Sequence, residues 1–298
     1  MNKEIIIIGA DSFIGGHLFP YLLTEYSCSQ ISGTWFHNQF IPALSFLDIT
    51  DDKSLESFIT EHPESIFIIL SGNKDVRFCE MNPEAAYSLN TKPIETIVSV
   101  IQKNDFPAKV LFMSSDYVFD GTEGNYSEAH LPNPMTVYGK TKYSAEKILL
   151  NSSIQFKIIR SSAVMGYGGV FFDWLMRELL TKEGAVSLFS NTYFSPTPLE
   201  LLCKGLNIVI QHFSSIEKKI LHLCGSSRMS RYEFGCIAAD YFKINKDRLL
   251  PVEADFIGST FQNDLSMKPG DLFAVIEEIG PMDYFAGLFK EAQSQYAL

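Results

Sequence analysis

Residues Glu4 to Gly15 read EIIIIGADSFIG, and this stretch decides the fold. The segment Glu4 to Ile8 is a short β-branched run, which is typical of a strand buried on both faces of a sheet. A turn follows at Gly9, and apolar residues at helical spacing continue to about Tyr26. A buried strand that passes through a tight turn into a helix indicates the first unit of a parallel α/β sheet.

The turn has the glycine spacing of a phosphate-binding loop. Gly9 permits the sharp change of direction, and Gly15 permits close packing of the helix against the strand. The helix N-terminus then offers N–H groups to a pyrophosphate. The middle position is Ser12 instead of glycine, so its hydroxyl either crowds the phosphate or hydrogen-bonds to it, and a turn that binds nothing is the other interpretation. The residues predicted to bind a cofactor here are Gly9, Asp11, Ser12, Phe13 and Ile14.

Strands and helices alternate along the first half of the chain. The sequence predicts strands at residues 4–8, 31–36, 43–47, 65–70, 109–113 and 155–160, with helices between them, including one long helix over 83–103. This alternation predicts an α/β fold with a doubly wound, Rossmann-like parallel sheet. We expect residues 1–160 to form a dinucleotide-binding domain, and residues 161–298 to add the remaining sheet elements and a smaller substrate-binding lobe.

The composition is that of a globular protein with an acidic surface. Lys and Arg total 24 against 35 Asp and Glu, a formal net charge of −11, so we expect no nucleic-acid partner. The five cysteines form no C-x-x-C pair and predict reduced thiols in a cytoplasmic protein. No apolar run approaches the ~20 residues of a membrane span, and we expect neither a signal peptide nor a membrane partner. The dispersed histidines predict no metal site.

Two tyrosine–lysine pairs, each with i, i+4 spacing, lie on one predicted helix. Tyr138 and Lys142 fall on its apolar face, where an unpaired charge is costly and requires a partner or a ligand. Tyr143 and Lys147, with Glu146 beside them, fall on a face expected to be solvated. Because a cation beside a phenol favours the phenolate, the first pair predicts a tyrosine that can donate a proton near neutral pH.

Ser115 follows the predicted strand over residues 109–113. Ligands bind beyond the carboxyl ends of the strands in open α/β sheets, so we expect Ser115 to meet Tyr138 over a bound carbonyl. One hydroxyl would orient the carbonyl and the other would donate a proton. A serine at a strand end is more often part of a turn or a cap, but the pair Tyr138 and Lys142 further along the chain favours a catalytic role.

The end of the second predicted strand bears on the choice of cofactor. An acid there would bind the 2′-hydroxyl of NAD, and an arginine would accept the phosphate of NADP. The chain has Thr34-Trp-Phe-His37-Asn38 at this place, and no Lys or Arg lies between Lys3 and Lys53. Since His37 and Asn38 are able to hydrogen-bond either ribose, both cofactors stay open on this pattern.

Further motifs occur in order along nearly the whole chain. They are Leu47-Asp-Ile-Thr-Asp51, Asn90-Thr-Lys, Ser114-Ser-Asp-Tyr-Val-Phe-Asp-Gly121, Asn133-Pro, Tyr138-Gly-Lys-Thr-Lys142, Arg160-Ser-Ser, Ser195-Pro-Thr197 and His222-Leu-Cys-Gly225. Together with the glycine turn, they make the chain similar to the dTDP-4-dehydrorhamnose reductase family of the extended short-chain dehydrogenase/reductase superfamily. The block that ends at Gly121, followed by the Tyr138 motif, is the most specific part of this resemblance.

The resemblance implies NAD(P)H-dependent reduction of the 4-keto group of a nucleotide-linked deoxysugar, and it favours NADPH over NADH. Tyr138 would be the general acid, Lys142 would hold the ribose hydroxyls and depress the pKa of that tyrosine, and Ser115 would fix the carbonyl oxygen. Further implied cofactor contacts are Asp48, Ile49, Ser71, Gly72 and Asn73. Implied substrate contacts are Asp116, Tyr117 and Ala163. The expected partner is a nucleotide sugar, and a homodimer is left open.

Some positions depart from the family pattern and leave alternatives. Ala163 stands where family members commonly carry a tryptophan, and Ser71-Gly-Asn stands where small alanines usually lead to a tyrosine. Tyr117 follows Asp116 where a dehydratase would carry its glutamate base, so dehydration is not expected. A nucleotide-sugar epimerase would use the same tyrosine–lysine pair. A non-catalytic regulatory subunit that binds a dinucleotide, similar to the methionine adenosyltransferase β subunit, is the alternative from another class.

Overall fold

The helices and strands follow one another much as the alternation predicts. The computed structural model of the chain describes residues 3–37, 39, 44–255, 262–279 and 284–296. Its strands are β1 (Ile5–Ile8), β2 (Ile31–Trp35), β3 (Ser45–Phe46), β4 (Ile66–Ile69), β5 (Lys109–Ser115), β6 (Gln155–Ser161), β7 (Val164–Met165), β8 (Val186–Phe189), β9 (Tyr193–Phe194), β10 (Thr197–Pro198), β11 (Ile220–His222), β12 (Met229–Ser230) and β13 (Leu249–Val252). Its helices are α1 (Phe13–Glu25), α2 (Asp52–Glu61), α3 (Val76–Met81), α4 (Pro83–Asn90), α5 (Lys92–Lys103), α6 (Val137–Leu150), α7 (Val170–Thr181), α8 (Leu199–Gln211), α9 (Arg231–Phe242), α10 (Asp271–Ile279) and α11 (Tyr284–Gln295).

A central sheet of seven strands has the order β11-β6-β5-β4-β1-β2-β3. β1 runs parallel to both of its neighbours, with Ile7 opposite Gly33 of β2 and opposite Ile68 of β4. The pairs β2–β3 and β4–β5 are parallel as well. Every residue of β1 and β4 is buried, as expected for strands covered on both faces by helices. The predicted α/β fold with a doubly wound, Rossmann-like sheet is confirmed.

One face of this sheet packs against α2, α5 and α6. The buried side chains of these helices and of the strands form a single apolar cluster, which includes Leu55, Ile97, Leu149, Phe67 and Ile158. Each large apolar side chain buried in this way contributes about 1.5–3 kcal/mol, which holds the layer on the sheet. The layer therefore fixes α6, the helix that carries Tyr138 and Lys142, against the strands.

The predicted long helix over residues 83–103 is wrong, because the chain forms two helices there. α4 ends at Asn90 and α5 begins at Lys92, with Pro93 in its first turn, where a proline needs no N–H partner. Between them the Thr91 hydroxyl donates to Thr141 O at 2.8 Å, a tertiary contact that local periodicity does not reveal. A proline also lies inside α1, but that helix continues without a break through Pro20.

Contacts divide the chain into two compact units. The first consists of Met1–Val118, Pro132–Arg160 and Asn207–Leu221, and the second of Phe119–Leu131, Ser161–Leu206 and His222–Leu298. The predicted domains share the boundary after Arg160 with these units. They differ because residues 119–131 belong to the second unit and residues 207–221 to the first.

The second unit has its own apolar core. It includes Phe172 of α7, Leu188 of β8, Phe234 of α9 and Phe289 of α11. β8 pairs in parallel with β13, while β9 pairs antiparallel with β12. These short strand pairs and helices form a small α/β lobe of a different design from the central sheet.

All five cysteines carry free thiols. Within the described ranges, no helix is both long enough and apolar enough to cross a bilayer. In the same part of the chain, no three His, Cys, Asp or Glu side chains come together in a way that could hold a metal ion.

Candidate functional site

The turn after β1 has the backbone of a phosphate-binding loop. Gly9 has a φ of +90°, a conformation that side chains rarely adopt, and a Cβ there would lie 2.8 Å from Ser71 N. A Cβ at Gly15 would lie 2.3 Å from Gly9 O. Glycine is therefore required at both positions. The loop after β4 lies close against Gly9, and the first turn of α1 lies close against the Gly9 carbonyl.

Ser12 is the N-cap residue of α1. Its Oγ accepts a hydrogen bond from Gly15 N at 3.1 Å, so the serine that replaces a glycine has a structural task of its own. No acidic residue lies in the first turn of the helix. The N–H groups at Phe13 and Ile14 therefore remain at the positive end of the helix dipole, which suits an anionic phosphate.

Asp11 connects this turn to the carboxyl end of β2. Its Oδ2 accepts hydrogen bonds from Phe36 N at 3.0 Å and from His37 N at 2.9 Å. The His37 side chain is exposed, and its ring packs edge-on against Phe36 with 4.8 Å between centroids. Asn38, the other predicted ribose contact, lies outside the described residues.

Asn90 holds the loop after β4 through its side-chain amide. Oδ1 accepts from Asn73 N at 2.7 Å, and Nδ2 donates to Asn73 O at 3.0 Å and to Thr141 Oγ1 at 3.1 Å. Thr141 donates in turn to Tyr138 O at 2.8 Å. A Cβ at Gly72 would lie 2.6 Å from Asn90 Oδ1. Asn90 is not among the predicted site residues, although the Asn90-Thr-Lys motif is the signal that points to it.

The other predicted cofactor contacts follow the ends of β3 and β4. Ser71 N donates to Ile8 O at 3.0 Å, while its hydroxyl is inaccessible and has no hydrogen-bond partner among the described residues. Asp48 Oδ1 accepts from Thr50 N at 2.9 Å and from Thr50 Oγ1 at 2.6 Å. Ile49 packs partly buried against the core. The glycine turn after β1, the N-terminus of α1 and the Ser71 hydroxyl, which has no partner among the described residues, fit a dinucleotide at this edge of the sheet.

Ser115 and Tyr138 meet at the carboxyl end of β5. Ser115 is the buried last residue of that strand, and its hydroxyl lies beside the Tyr138 phenol, where it lowers the pKa of that phenol. Ser115 Oγ also donates to Asp116 Oδ1 at 3.0 Å. The Tyr117 ring lies edge-on to the Tyr138 ring, with 5.5 Å between centroids. The structure thus brings together both predicted catalytic hydroxyls and the predicted substrate contacts Asp116 and Tyr117.

Two contacts fix the start of α6, where Tyr138 is the second residue. Thr136 caps the helix, because its Oγ1 accepts from Gly139 N at 3.0 Å. A Cβ at Gly139 would lie 2.1 Å from Tyr117 O, so the 3-10 turn after β5 can pack on the helix only when this residue is glycine. The glycine after Tyr138 in the motif therefore serves to place the tyrosine.

Burial raises the pKa of Tyr138 above its ordinary value. The Ser115 hydroxyl beside it acts in the opposite direction, while the negative charge of Asp116 raises the pKa further. Lys142 is not among the groups that shift this pKa, so the expectation that it depresses the pKa of Tyr138 is not met. The phenol is protonated at neutral pH as a result.

Lys142 is buried on the apolar face of α6. Its Nζ lies 4.2 Å from the centroid of the Phe112 ring, which is a cation–π contact. Burial lowers its pKa from 10.5 to about 8, and the carboxylate of Glu146, one turn along, opposes that shift. Lys142 is therefore still mainly a cation at neutral pH.

The prediction that Glu146 lies on a solvated face is wrong. Its side chain is fully buried and receives two hydrogen bonds from Arg160, Nε to Oε1 at 3.0 Å and Nη2 to Oε2 at 2.7 Å. The Ser114 hydroxyl donates to Oε1 at 2.5 Å. Because Arg160 lies on β6, no periodicity within the helix could reveal this network. The i, i+4 spacing from Lys142 is the local signal.

Ala163 belongs to the second unit. It packs partly buried against the core of that unit, and its carbonyl accepts a hydrogen bond from Thr197 N at 2.9 Å. Its role in substrate binding stays a prediction.

The chain matches known proteins over most of its length. The profile of the RmlD substrate binding domain family matches residues 3–260. Methionine adenosyltransferase 2 subunit beta of Xenopus laevis is 28% identical over 87% of this chain and 78% of its own length. The dTDP-4-dehydrorhamnose reductase of Aggregatibacter actinomycetemcomitans is 28% identical over 66% of this chain and 69% of its own length.

A solved structure shares the fold. The dTDP-4-dehydrorhamnose reductase of Bacillus anthracis, in complex with NADP, superposes with a TM-score of 0.80 at 22% identity, over 99% of this chain and all of the other. The profile match covers far more than half of the sequence, and the motifs that carry the resemblance lie along its whole length. The chain therefore belongs to the RmlD substrate binding domain family, the dTDP-4-dehydrorhamnose reductase family of the extended short-chain dehydrogenases/reductases.

Proposed function

We propose that this protein catalyses the NAD(P)H-dependent reduction of the 4-keto group of a nucleotide-linked deoxysugar, with Tyr138 as the general acid. The single observation that carries the proposal is that the Ser115 hydroxyl lies beside the Tyr138 phenol at the carboxyl end of β5 and lowers the pKa of that phenol. Two hydroxyls held in this way are able to bind one carbonyl oxygen together. A reductase relative and a relative solved with NADP support the same chemistry.

The proton step follows from the raised pKa of Tyr138. A reduced nicotinamide, when bound, supplies hydride to the carbonyl carbon, and negative charge then develops on the carbonyl oxygen. A phenol that stays protonated at neutral pH is ready to donate its proton to that oxygen, which is more basic than a phenolate. Ser115 would orient the oxygen by a hydrogen bond.

Lys142 would act on the cofactor side of the same site. It lies one helical turn beyond Tyr138, and the apolar face around it leaves its ammonium in need of hydrogen-bond acceptors. Ribose hydroxyls are such acceptors. Gly9, Ser12, Phe13 and Ile14 would hold the pyrophosphate, and Ser71, Gly72 and Asn73 would line the cofactor trough.

The test is oxidation of NADH and NADPH with a panel of nucleotide-linked 4-keto-6-deoxysugars. We expect turnover of at least one sugar and a loss of about 10²-fold or more in kcat for Tyr138→Phe, with dinucleotide binding retained. Tyr143→Phe is the matched control, because it makes the same change on the same helix and is expected to keep full activity. Loss of activity in both variants, or in neither, would contradict the proposal.

A regulatory subunit is the second candidate function. Methionine adenosyltransferase 2 subunit beta matches 87% of this chain, whereas the reductase matches 66%. The intact set of Ser115, Tyr138 and Lys142 favours catalysis. If NADH or NADPH binds but no sugar of the panel is turned over, the regulatory candidate is supported instead. An epimerase would be recognised by sugar interconversion without net consumption of added NADH or NADPH.

A further inference from the structure

The strand that ends at the adenosine side of the proposed cofactor site has no acidic residue of its own. β2 ends at Trp35, and Phe36 and His37 follow it. The carboxylate at this place comes instead from the glycine turn, because Asp11 Oδ2 lies 3.0 Å from Phe36 N and 2.9 Å from His37 N. We propose that Asp11 binds the adenosine ribose and makes this protein prefer NADH over NADPH. The inference rests on the dinucleotide site of the proposed function.

The turn is fixed along β2, so that this carboxylate is held in place. Gly9 N donates to the Thr34 hydroxyl at 3.1 Å, and Ala10 N donates to Thr34 O at 2.8 Å. Thr34 is itself buried. Three successive residues of the turn are thereby bonded to the end of the strand, and the last of them is Asp11.

A carboxylate at the end of the second strand is the group that binds the 2′-hydroxyl of NAD. It usually comes from the strand end itself, about 20 residues after the glycine motif. Here Asp11 reaches the same strand end from inside the motif. A carboxylate has about four acceptor sites on its two oxygens, so it is able to accept from a ribose hydroxyl and from backbone N–H groups together.

The same geometry works against the 2′-phosphate of NADP. That phosphate carries about two negative charges, and a carboxylate within a few ångströms repels it. The N–H groups of Phe36 and His37, which would otherwise be donors for an anion, already bind Asp11. The sequence places no Lys or Arg between Lys3 and Lys53 that could offset the repulsion from within this segment.

One cation does contact the turn region. Lys74 Nζ lies 4.7 Å from the centroid of the Phe13 ring, and burial lowers its pKa. Phe13 is the first residue of α1, where the pyrophosphate that both cofactors share is expected. Lys74 should therefore affect NADH and NADPH alike, which makes Lys74→Met the matched control.

The experiment measures the dissociation constants of NADH and NADPH by calorimetric titration of the full chain, without any sugar. We expect NADH to bind about tenfold or more tightly than NADPH, and Asp11→Asn to reduce this preference about tenfold or more by strengthening NADPH binding and weakening NADH binding. Lys74→Met should weaken both and leave their ratio unchanged. Circular dichroism melting shows that each variant is folded.

NADPH binding as tight as NADH binding in the wild type would overturn the inference while leaving the proposed function intact. An unchanged ratio in Asp11→Asn, or a ratio that depends on Lys74, would overturn it as well. If neither dinucleotide binds, the proposed function fails and the inference fails with it. The ratio of the NADH and NADPH dissociation constants of the wild-type protein tests the inference even if a variant does not fold.

Discussion

Lys142 shows how much the position of a single residue in a sequence can reveal. An ammonium on the apolar face of a helix is costly unless something stabilises it, so its position alone predicts a partner or a ligand. In the structure it is buried, with its Nζ 4.2 Å from the centre of the Phe112 ring. What the sequence could not indicate is the size of the effect on its pKa, since this depends on burial and on Glu146.

A pH dependence follows for dinucleotide binding. Because burial lowers the pKa of Lys142 to about 8, this side chain is a cation below that pH and becomes neutral above it. A ligand that binds the cation raises its pKa, so affinity is highest below pH 8 and falls as the pH rises beyond it. Titration of NADH binding between about pH 6.5 and 9.5 measures this.

Two variants serve as controls for the pH dependence. Lys142→Met has no ammonium and should bind weakly with no change around pH 8. Lys142→Arg keeps its charge throughout this range and should also bind without a step. A wild-type affinity that stays constant up to pH 9.5 would show that Lys142 does not contact the cofactor.

At the scale of elements, α6 is joined to two strands by a buried ionic network. Arg160 on β6 and Ser114 on β5 both donate to Glu146, whose side chain is completely buried. The same carboxylate stabilises the cationic form of Lys142. The network therefore sets both the position of the helix and the charge of a residue in the site.

Removing one partner of this network should be strongly destabilising. We expect Glu146→Gln or Arg160→Met to lower the free energy of unfolding by about 3–5 kcal/mol, because the remaining charge is left buried without its counterion. Urea denaturation followed by circular dichroism measures the change. The exposed pair Lys204 and Glu200 on α8 is the control, and Glu200→Gln should cost about 0.5 kcal/mol or less. Equal costs at both pairs would contradict this account of Glu146.

The turn between β1 and α1 offers a pair of neighbouring glycines with opposite requirements. A Cβ at Gly15 would lie 2.3 Å from Gly9 O, whereas nothing lies within 4 Å of a Cβ at Gly16. Gly15→Ala should therefore distort the turn and abolish dinucleotide binding. Gly16→Ala should stabilise the protein by up to about 1 kcal/mol, since alanine is the better helix former. Thermal melting and NADH titration of both variants measure this, and a Gly15→Ala protein with normal affinity would refute the close-packing argument.

The helices show where sequence patterns stop being informative. The strand β1 and the helix α1 could be predicted because an unbroken isoleucine run and a glycine turn are local signals. The break between α4 and α5 has a local signal in Pro93, which would cost a hydrogen bond inside a longer helix, whereas the hydrogen bond from Thr91 to Thr141 joins distant parts of the chain and has none. The burial of Glu146 also depends on a distant partner, since Arg160 lies on another element.

At the scale of the whole molecule, the parallel sheet follows from the alternation of strands and helices. The division into two units follows only in part from the order of elements along the sequence. Residues 119–131 belong to the second unit and residues 207–221 to the first, because long-range contacts outweigh position along the chain. Composition and periodicity carry no signal for such an exchange. The candidate site could be predicted at Ser115, Tyr138 and Lys142 because strand ends and helix faces are local features, whereas Asn90 and Arg160 act through distant partners.

The central claim is that Tyr138 protonates a sugar ketone while hydride is added to its carbon. The most direct measurement uses NADH and NADPH labelled with deuterium at the transferred position of the nicotinamide, with mass spectrometry of the sugar product. The account predicts one deuterium at C4 of a nucleotide-linked deoxysugar with the wild-type protein, and a rate of deuterium transfer lower by about 10²-fold or more with Tyr138→Phe. Two results would contradict the account. One is a protein that binds both labelled cofactors but transfers deuterium to no sugar of the panel. The other is a Tyr138→Phe variant that transfers deuterium as fast as the wild type.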